Sequence, residues 1–247
     1  MEVSNVFSIN STKSKKHSPL LPSSLRLLLC GACGAGKTNL LFNMLLNDAW
    51  LDFESLIIVG QSLFQPEYIL LRECLEAGLT KKESRECFAA KKMIFVGKRE
   101  QKIKFAFYSS EHQLPNPEDL DKGKNLLVFD DCLMCNQNTI MKYFVQGRHK
   151  GCDMIYLTQS YFSLDRRLIR NNSNFIIFFS QPLKSVSHLH RDFCSEIPFE
   201  EFNELCKHIW KKDHSFLCVD LTSSITDGKF RENFEKFYFP KQLLRED

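Results

Sequence analysis

The residues best suited to chemistry in this chain form a short glycine-rich segment. Residues 31–38 read GACGAGKT, which has the spacing G-x-x-x-x-G-K-T of a phosphate-binding loop. Its glycines permit a tight turn whose backbone N–H groups face inward as a nest for phosphate oxygens. Lys37 can reach the outer phosphates, and Thr38 can place its hydroxyl on Mg²⁺. We therefore expect a nucleoside triphosphate with Mg²⁺ to bind at Gly31, Ala32, Cys33, Gly34, Ala35, Gly36, Lys37, Thr38 and Asn39.

The segments on either side of this loop provide the context that such a loop requires. Residues 25–30 are apolar, as in a buried parallel strand, and residues 38–47 have the apolar spacing of a helix. A helix that begins at the loop adds the partial positive charge of its N-terminus to the phosphate site. The alternative, a glycine-rich turn without a ligand, does not account for these flanks.

Two carboxylates, Asp130 and Asp131, end an apolar run at 126–131 that reads as a buried strand. We assign Asp130 to Mg²⁺, held through a water molecule, as at the end of a Walker B strand. Asp131 points differently because strand side chains alternate, and it can orient or deprotonate the attacking water. The structural alternative is that the pair starts a turn or caps a helix.

The wide interval between Lys37 and Asp130 leaves room for further strands and helices. Small nucleotide kinases and GTPases usually place their second motif sooner, and the chain has no N-K-x-D motif to read guanine. A second acid after Asp130 fits enzymes that hydrolyse ATP with a base of their own. The spacing therefore favours an ATP hydrolase.

Gln159 follows the next predicted strand, 153–158, and several arginines lie near it in sequence. Ligands bind at the carboxyl ends of strands in such sheets, so the Gln159 amide can sense the γ-phosphate or position the water. A loop hydrogen bond is the alternative. We expect Arg170 to reach the γ-phosphate of a neighbouring subunit, with Arg148 as second choice. A surface ion pair or a DNA-backbone contact is the alternative for these arginines, which also include Arg166 and Arg167.

The pattern of apolar residues predicts the elements that position these side chains. Strands and helices alternate, and the strands are uniformly apolar, which indicates a parallel sheet covered on both faces. Residues 1–23 are predicted to be a flexible basic tail, and residues 24–247 a P-loop ATPase domain. The remaining predicted strands are 55–60, 93–96, 102–108, 175–180 and 214–220, and the remaining helices are 66–90, 115–121, 137–148, 184–195 and 198–212.

Length and composition limit the class of protein. A chain of 247 residues with 43% hydrophobic and 26% charged residues suits one large α/β domain with a real core. A net charge of +3 does not by itself indicate nucleic-acid binding, so any DNA contact must come from a local arrangement of charge. The N-terminal segment has no apolar signal region and no run is long enough to span a bilayer, so we expect a soluble protein.

The ten cysteines are expected to be mostly free thiols in a reducing compartment. Two C-x-x-C pairs, Cys30 with Cys33 and Cys132 with Cys135, have a spacing found in zinc sites. The first pair, however, lies at a strand end and inside the phosphate loop, where metal ligation would compete with nucleotide. Ordinary buried small residues are therefore the favoured interpretation.

Four segments together resemble one protein family. GACGAGKT, LLVFDD, GRHKGCDMIYLTQSYF and LIRNNSNFIIFFSQ are similar to the FtsK–HerA-type genome-packaging ATPases. These are the poxvirus-like enzymes of large DNA viruses and the related enzymes of Polinton/Maverick elements and virophages. The resemblance covers roughly residues 24–240, and the last two segments make it far more specific than the phosphate loop alone.

The resemblance implies an α/β fold: a RecA-like P-loop NTPase of the additional-strand class, with a mostly parallel sheet and helices on both faces. It implies a ring, expected to be a hexamer, that drives double-stranded DNA into a capsid and contacts proteins of the capsid or its portal vertex. Lys37 and Thr38 take the Walker A roles, and Asp130 and Asp131 the Walker B roles. Gln159 becomes the sensor and Arg170 the trans-acting arginine. The expected setting is intracellular, in the host cytoplasm or nucleus, or in the virion.

One residue departs from the family pattern. The wider superfamily usually has Glu where this chain has Asp131, and the shorter side chain makes the direct-base role less secure. Two other functions stay open at this point. One is a small-molecule phosphotransferase that uses the arginine-rich segment 166–170 as a lid. The other is an assembly protein in which the nucleotide gates binding rather than motion.

Overall fold

The computed structural model describes residues 17–95, 97, 99–164 and 170–240, with the Arg148 side chain left out. The described residues form one nine-stranded sheet in the order β3-β2-β4-β5-β1-β6-β7-β8-β9. Its strands are β1 (Arg26–Cys30), β2 (Ser55–Gly60), β3 (Lys104–Tyr108), β4 (Asn125–Asp130), β5 (Cys152–Thr158), β6 (Phe175–Phe178), β7 (Leu217–Asp220), β8 (Phe230–Glu232) and β9 (Lys236–Tyr238). The helices are α1 (Lys37–Leu46), α2 (Pro66–Glu76), α3 (Lys81–Ala90), α4 (Gln137–Gln146), α5 (Leu183–Phe193) and α6 (Phe199–Ile209).

The strands β1 to β6 run parallel, so all their carboxyl ends meet at one edge of the sheet. We call this the carboxyl edge. Strand β5 lies between β1, which precedes the phosphate loop, and β4, which ends in Asp130. This inserted strand confirms the predicted RecA-like fold of the additional-strand class.

The sheet separates two hydrophobic cores, because alternate side chains of a strand point to opposite faces. In β1, Leu28 belongs to one core, while Leu27 and Leu29 belong to the other. The first core takes its helical residues from α4, α5 and α6, and the second takes them from α1 and α2. Helices thus cover both faces, as the uniformly apolar strands predict.

Beyond β6 the sheet continues with three antiparallel strands, two of which were not predicted. Strands β8 and β9 are only three residues long, and residues of β9 are partly exposed, so neither has a recognisable apolar period. The predicted strand at 93–96 is wrong for its described residues, which are not in a strand. Met93 packs instead against a small cluster around Cys74 and Cys87.

The predicted helix at 66–90 is divided into α2 and α3. Gly78 adopts a left-handed φ of 69°, and a Cβ there would lie 2.9 Å from the carbonyl oxygen of Arg99. Thr80 then caps α3 through its hydroxyl oxygen, which accepts from the N–H of Glu83, and the Glu83 carboxylate accepts from the N–H of Thr80. This capping box restarts the chain as a second helix.

The described part of the predicted tail is packed on the domain. His17 donates from Nε2 to Asp153 (2.8 Å), and its Nδ1 accepts from the backbone N–H of Asp52 (3.0 Å). Leu21 is buried in the second core. The boundary predicted at residue 23 therefore falls inside packed chain, while residues 1–16 lie outside the described part. Among the described residues, no helix is long and apolar enough to cross a membrane.

Candidate nucleotide site

The predicted phosphate loop connects β1 to α1 at the carboxyl edge, with the geometry that its glycines allow. Gly34 and Gly36 have φ values of 74° and 104°, a left-handed region that costs glycine little. Gly31 lies against the end of β6, where a Cβ would come within 2.8 Å of the Phe179 Cβ. A side chain at Gly34 or Gly36 would strain the backbone, and one at Gly31 would displace the loop.

Lys37 folds its side chain back over this loop. Its Nζ donates to the carbonyl oxygens of Gly31 (2.7 Å) and Ala32 (2.9 Å). Burial lowers the pKa of Lys37, and the nearby carboxylate of Asp130 opposes that shift. The loop and the acid thus hold an ammonium group at the site where phosphates are expected.

Asp130 ends β4 as a largely buried carboxylate with a partner that the sequence did not indicate. The hydroxyl of Tyr68, on α2, donates to Asp130 Oδ2 at 2.5 Å, and Tyr68 itself is fully buried. Burial raises the pKa of Asp130, while the Tyr68 hydrogen bond and Lys37 lower it. The Tyr68 ring also contacts Phe42 of α1 edge-on, so one side chain links the acid to the helix of the phosphate loop. Tyr68 lies in a charged, helical stretch of the sequence, and nothing in that stretch indicates a hydrogen bond to Asp130.

Replacement of Tyr68 by Phe removes only this hydrogen-bond donor. Because the bond favours the ionised carboxylate, its loss raises the pKa of Asp130, and the acidic limb of the pH–rate profile moves to higher pH. We expect the magnesium affinity or activity at neutral pH to fall about ten- to hundredfold, as for other residues that orient a metal-site ligand. ATP hydrolysis measured across pH and magnesium concentration tests this.

A matched control is Tyr161→Phe. Tyr161 is also fully buried and donates to a carboxylate, Asp192 Oδ2, at 3.0 Å. Both variants lose the same kind of bond, but only Tyr68→Phe should shift the acidic limb. Equal pH profiles for the two variants would show that Tyr68 merely supports the fold.

Asp131 and Gln159, predicted from separate strands, lie together at the carboxyl edge. Gln159 Nε2 donates to Asp131 Oδ2 at a long 3.4 Å, and the backbone carbonyl of Gln159 accepts from Gln181 Nε2 at 3.0 Å. Asp131 is exposed and has a φ of 53°. A non-glycine residue in this region is uncommon and costs local free energy, which is often retained at functional sites. The backbone thus turns Asp131 away from the buried direction of Asp130.

The donors suit magnesium better than zinc. Among the described residues, no group of three or more His, Cys, Asp or Glu side chains is placed to hold a metal ion. Magnesium does not require one, because it keeps several waters and takes ligands from one or two protein oxygens and substrate phosphates. Cys30 and Cys132 are buried, and burial raises the pKa of both thiols, which disfavours the thiolate that zinc needs.

Arg170 is buried and ion-paired within its own chain, so its trans-acting role stays a prediction that would require this pair to open. It is 6% exposed, and its Nη1 donates to Asp192 Oδ2 on α5 at 2.6 Å. The guanidinium also lies over the Tyr161 ring, 5.0 Å from the centroid. The sequence showed a strand-flanking arginine but not the acid on α5 that buries it. In this structure Arg170 is thus one partner of a buried ion pair.

Replacement of Arg170 by Ala is therefore expected to destabilise the folded chain. It removes the closer of the two arginines paired with the buried Asp192, and breaking a buried pair typically costs about 3–5 kcal/mol. Adding Asp192→Asn should recover much of that loss, and denaturant unfolding of the four variants in the cycle measures the coupling. If the Arg170→Ala protein is stable and regains hydrolysis only when mixed with Asp131→Asn subunits, Arg170 acts on the nucleotide of a neighbouring subunit.

The other predicted arginines contribute less to the described site. Arg148 lies in a 3₁₀ turn, Gly147–Lys150, that precedes β5 and so falls at the edge opposite the phosphate loop. Arg166 and Arg167 lie outside the described residues. The phosphotransferase alternative depended on that same segment as a lid.

Comparisons with known proteins agree at the level of the fold. No protein-family model matches the sequence, and no curated protein shows significant sequence similarity. The genome-packaging NTPase B204 of Sulfolobus turreted icosahedral virus 2, in complex with AMPPCP, is similar in structure, with a TM-score of 0.52 and 13% identity over 85% of this chain and 97% of that chain. The DNA-packaging ATPase B204 of Sulfolobus turreted icosahedral virus gives a TM-score of 0.51 and 15% identity over 84% and 95%. At such low identity the likeness establishes a shared α/β P-loop fold.

Proposed function

We propose that this chain is an FtsK–HerA-type ATPase that hydrolyses ATP to drive double-stranded DNA into a capsid. One observation carries the proposal. Strand β5 lies between β1 and β4, so Gln159 stands at the carboxyl edge between the phosphate loop and the acid pair, in contact with Asp131. The shared fold of the packaging NTPases B204, solved in complex with AMPPCP and ATP-γS, supports this use of the site.

The first step assigned to these residues is to bind and orient the triphosphate. Lys37 exchanges its loop carbonyls for the outer phosphate oxygens, and the loop N–H groups hold the rest of the chain. Thr38 and Asp130 would hold Mg²⁺, Asp130 through water by the oxygen that Tyr68 leaves available. An ion held there would neutralise charge that develops on the phosphate oxygens.

The second step is attack by water on the γ-phosphate. Asp131 is exposed beside the site and can accept a proton from that water, while Gln159 orients the water or senses the phosphate. Asp131 is shorter than the usual Glu, but it has a left-handed backbone and its carboxylate accepts from Gln159 Nε2. These contacts support a base role for the shorter side chain.

Self-association into a ring is part of the proposal. Apolar side chains stand exposed in segments that follow the carboxyl ends of four strands: Phe64 is 75% exposed, Met134 87%, Phe162 42% and Leu183 60%. Exposed apolar groups are typical of interaction surfaces, and these four lie in segments beyond the carboxyl ends of their strands, as the phosphate loop does. That shared edge favours a ring in which each site faces the next subunit. A ring also multiplies the net charge of +3 along DNA.

The test is ATP hydrolysis by the assembled oligomer with and without double-stranded DNA. We expect DNA of any sequence to stimulate hydrolysis, with a strong decrease as salt rises, because binding is through phosphates. Stimulation by a nucleoside acceptor in a monomer would instead identify a phosphotransferase. Nucleotide-gated assembly without any DNA effect would identify a scaffold protein.

A further inference from the structure

The turn that follows the acid pair carries two cysteines that the proposed hydrolysis does not use. Cys132 and Cys135 are the second C-x-x-C pair of the sequence. Cys132 is fully buried, whereas Cys135 is partly exposed to solvent. The pair thus combines a protected thiol with one that a small reagent can reach.

The backbone of this turn holds the two thiols together. The N–H of Cys135 donates to the carbonyl of Cys132 at 3.1 Å, which is the hydrogen bond of a β-turn. Such a turn brings its first and last Cα atoms within about 7 Å, and a disulfide requires a separation of about 4.4–6.8 Å. The side chains also face each other, since the two thiols are in hydrogen-bond contact. A bond between the sulfur atoms therefore needs only a small local movement.

Gln137, at the start of α4, ties this turn to a neighbouring strand. Its Nε2 donates to the carbonyl oxygens of Cys132 at 2.7 Å and Cys135 at 3.0 Å. Its Oε1 accepts from the hydroxyl of Tyr156 on β5 at 3.3 Å, and β5 is the strand that leads to Gln159. A change in the shape of the turn can therefore reach the sensor strand as well as the acids.

The same turn borders the acid pair through Cys132. Its thiol donates toward the carbonyl oxygens of Val59 and Asp130, each 3.5 Å from Sγ. A disulfide removes this S–H donor and draws the sulfur toward Cys135. Asp131 lies between Asp130 and Cys132 and already has a left-handed φ of 53°. Since a misplacement of about 1 Å can slow a reaction about a hundredfold, the acid that activates the water is the group most sensitive to this bond.

We propose that Cys132 and Cys135 are a redox modification site, at which a small disulfide of the glutathione class oxidises the pair and slows ATP hydrolysis. The inference rests on the proposed ATP hydrolysis and adds a means to control it. Cys135 gives up its proton and its sulfur attacks the small disulfide, which releases one small thiol and leaves a mixed disulfide. Cys132 then attacks the sulfur of Cys135 and releases the second small thiol. Two electrons and both thiol hydrogens thus pass from the protein to the small disulfide.

The other cysteines determine how the test is designed. Cys74 and Cys87 are also in contact with each other, but both are fully buried. Cys33 is exposed in the phosphate loop, where addition of a small thiol could block the nucleotide directly. Every protein in the test therefore carries Cys33→Ala, and each rate is compared with that of the reduced form of the same protein.

The experiment treats this protein with excess glutathione disulfide at about pH 8.5, because burial raises the pKa of Cys135 and slows exchange at neutral pH. Trypsin releases one peptide, residues 125–142, that contains Cys132 and Cys135 and no other cysteine. We expect this peptide to lose the mass of two hydrogen atoms, and the rate of ATP hydrolysis to fall roughly ten- to hundredfold with ATP affinity unchanged. Dithiothreitol should reverse both changes. With Cys135→Ser added, the rate should resist the oxidant.

The possible outcomes separate this proposal from the proposed function. A peptide that keeps both thiols, a disulfide that leaves the rate unchanged, or equal inhibition of the Cys135→Ser protein would overturn the redox site. If the reduced protein does not hydrolyse ATP, the proposed function fails and the control of hydrolysis fails with it, while the peptide mass still shows whether the disulfide forms. The comparison of oxidised with reduced protein needs no change at either cysteine of the pair, so it decides the matter even if Cys135→Ser does not fold.

Discussion

Lys37→Ala should lower the rate of ATP hydrolysis at least about a hundred- to a thousandfold, because it removes a cation placed where charge develops on the transferred phosphoryl group. Lys37 Nζ donates to loop carbonyls in this structure. Its removal takes a cation from the neighbourhood of Asp130, but Tyr68 still donates a hydrogen bond to that carboxylate. The variant should therefore stay folded. Steady-state hydrolysis and thermal unfolding, measured together, check both statements.

The control for this variant is Lys122→Ala, which removes an exposed lysine at the opposite edge of the sheet. It changes net charge by the same amount and should retain full hydrolysis. Comparable loss in the two variants would indicate a general effect of charge. Hydrolysis that survives in Lys37→Ala would remove the phosphate loop from the mechanism.

Asp131→Asn should have the second-largest effect, a fall in hydrolysis of about 10²- to 10⁴-fold while ATP remains bound. Asn tolerates the left-handed backbone that Asp131 adopts, at a φ of 53°, and its amide keeps the shape of the carboxylate. The loss is thus confined to proton acceptance. Single-turnover hydrolysis and nucleotide-retention measurements separate the chemical step from binding.

The comparison variant is Asp121→Asn; the Asp121 side chain is 84% exposed and pairs with an exposed Lys104. It should hydrolyse ATP normally. If Asp131→Asn hydrolyses ATP at a near-normal rate, another group activates the water, and the shorter acid at this position is not the base.

The parts of the site that could be predicted from sequence are those whose geometry is set by local chain. Two examples are the glycine-rich turn between a strand and a helix and the two acids at the end of a buried strand. In each, the residues that set the geometry are neighbours in the sequence. The placement of Gln159 followed from one further rule, that parallel strands end at the same edge. The inserted strand β5 was expected through the family resemblance.

The parts that were missed depend on contacts between distant segments. Tyr68 meets Asp130 only because α2 packs across the strand ends, and Arg170 is held in a buried ion pair only because α5 brings Asp192 to it. Strands β8 and β9 are too short for a period to be read, and they form because β7 offers an edge. No residue pattern near these positions carries that information.

The most direct test of the central claim is ATP-dependent movement along DNA. A short third strand bound as a triplex on linear double-stranded DNA is displaced when a motor travels through it, and labelled-strand release reports this. We predict release that needs ATP, is independent of the sequence travelled, and is absent in Lys37→Ala and Asp131→Asn. An assembled oligomer that hydrolyses ATP at a DNA-stimulated rate but leaves the triplex in place would contradict the account.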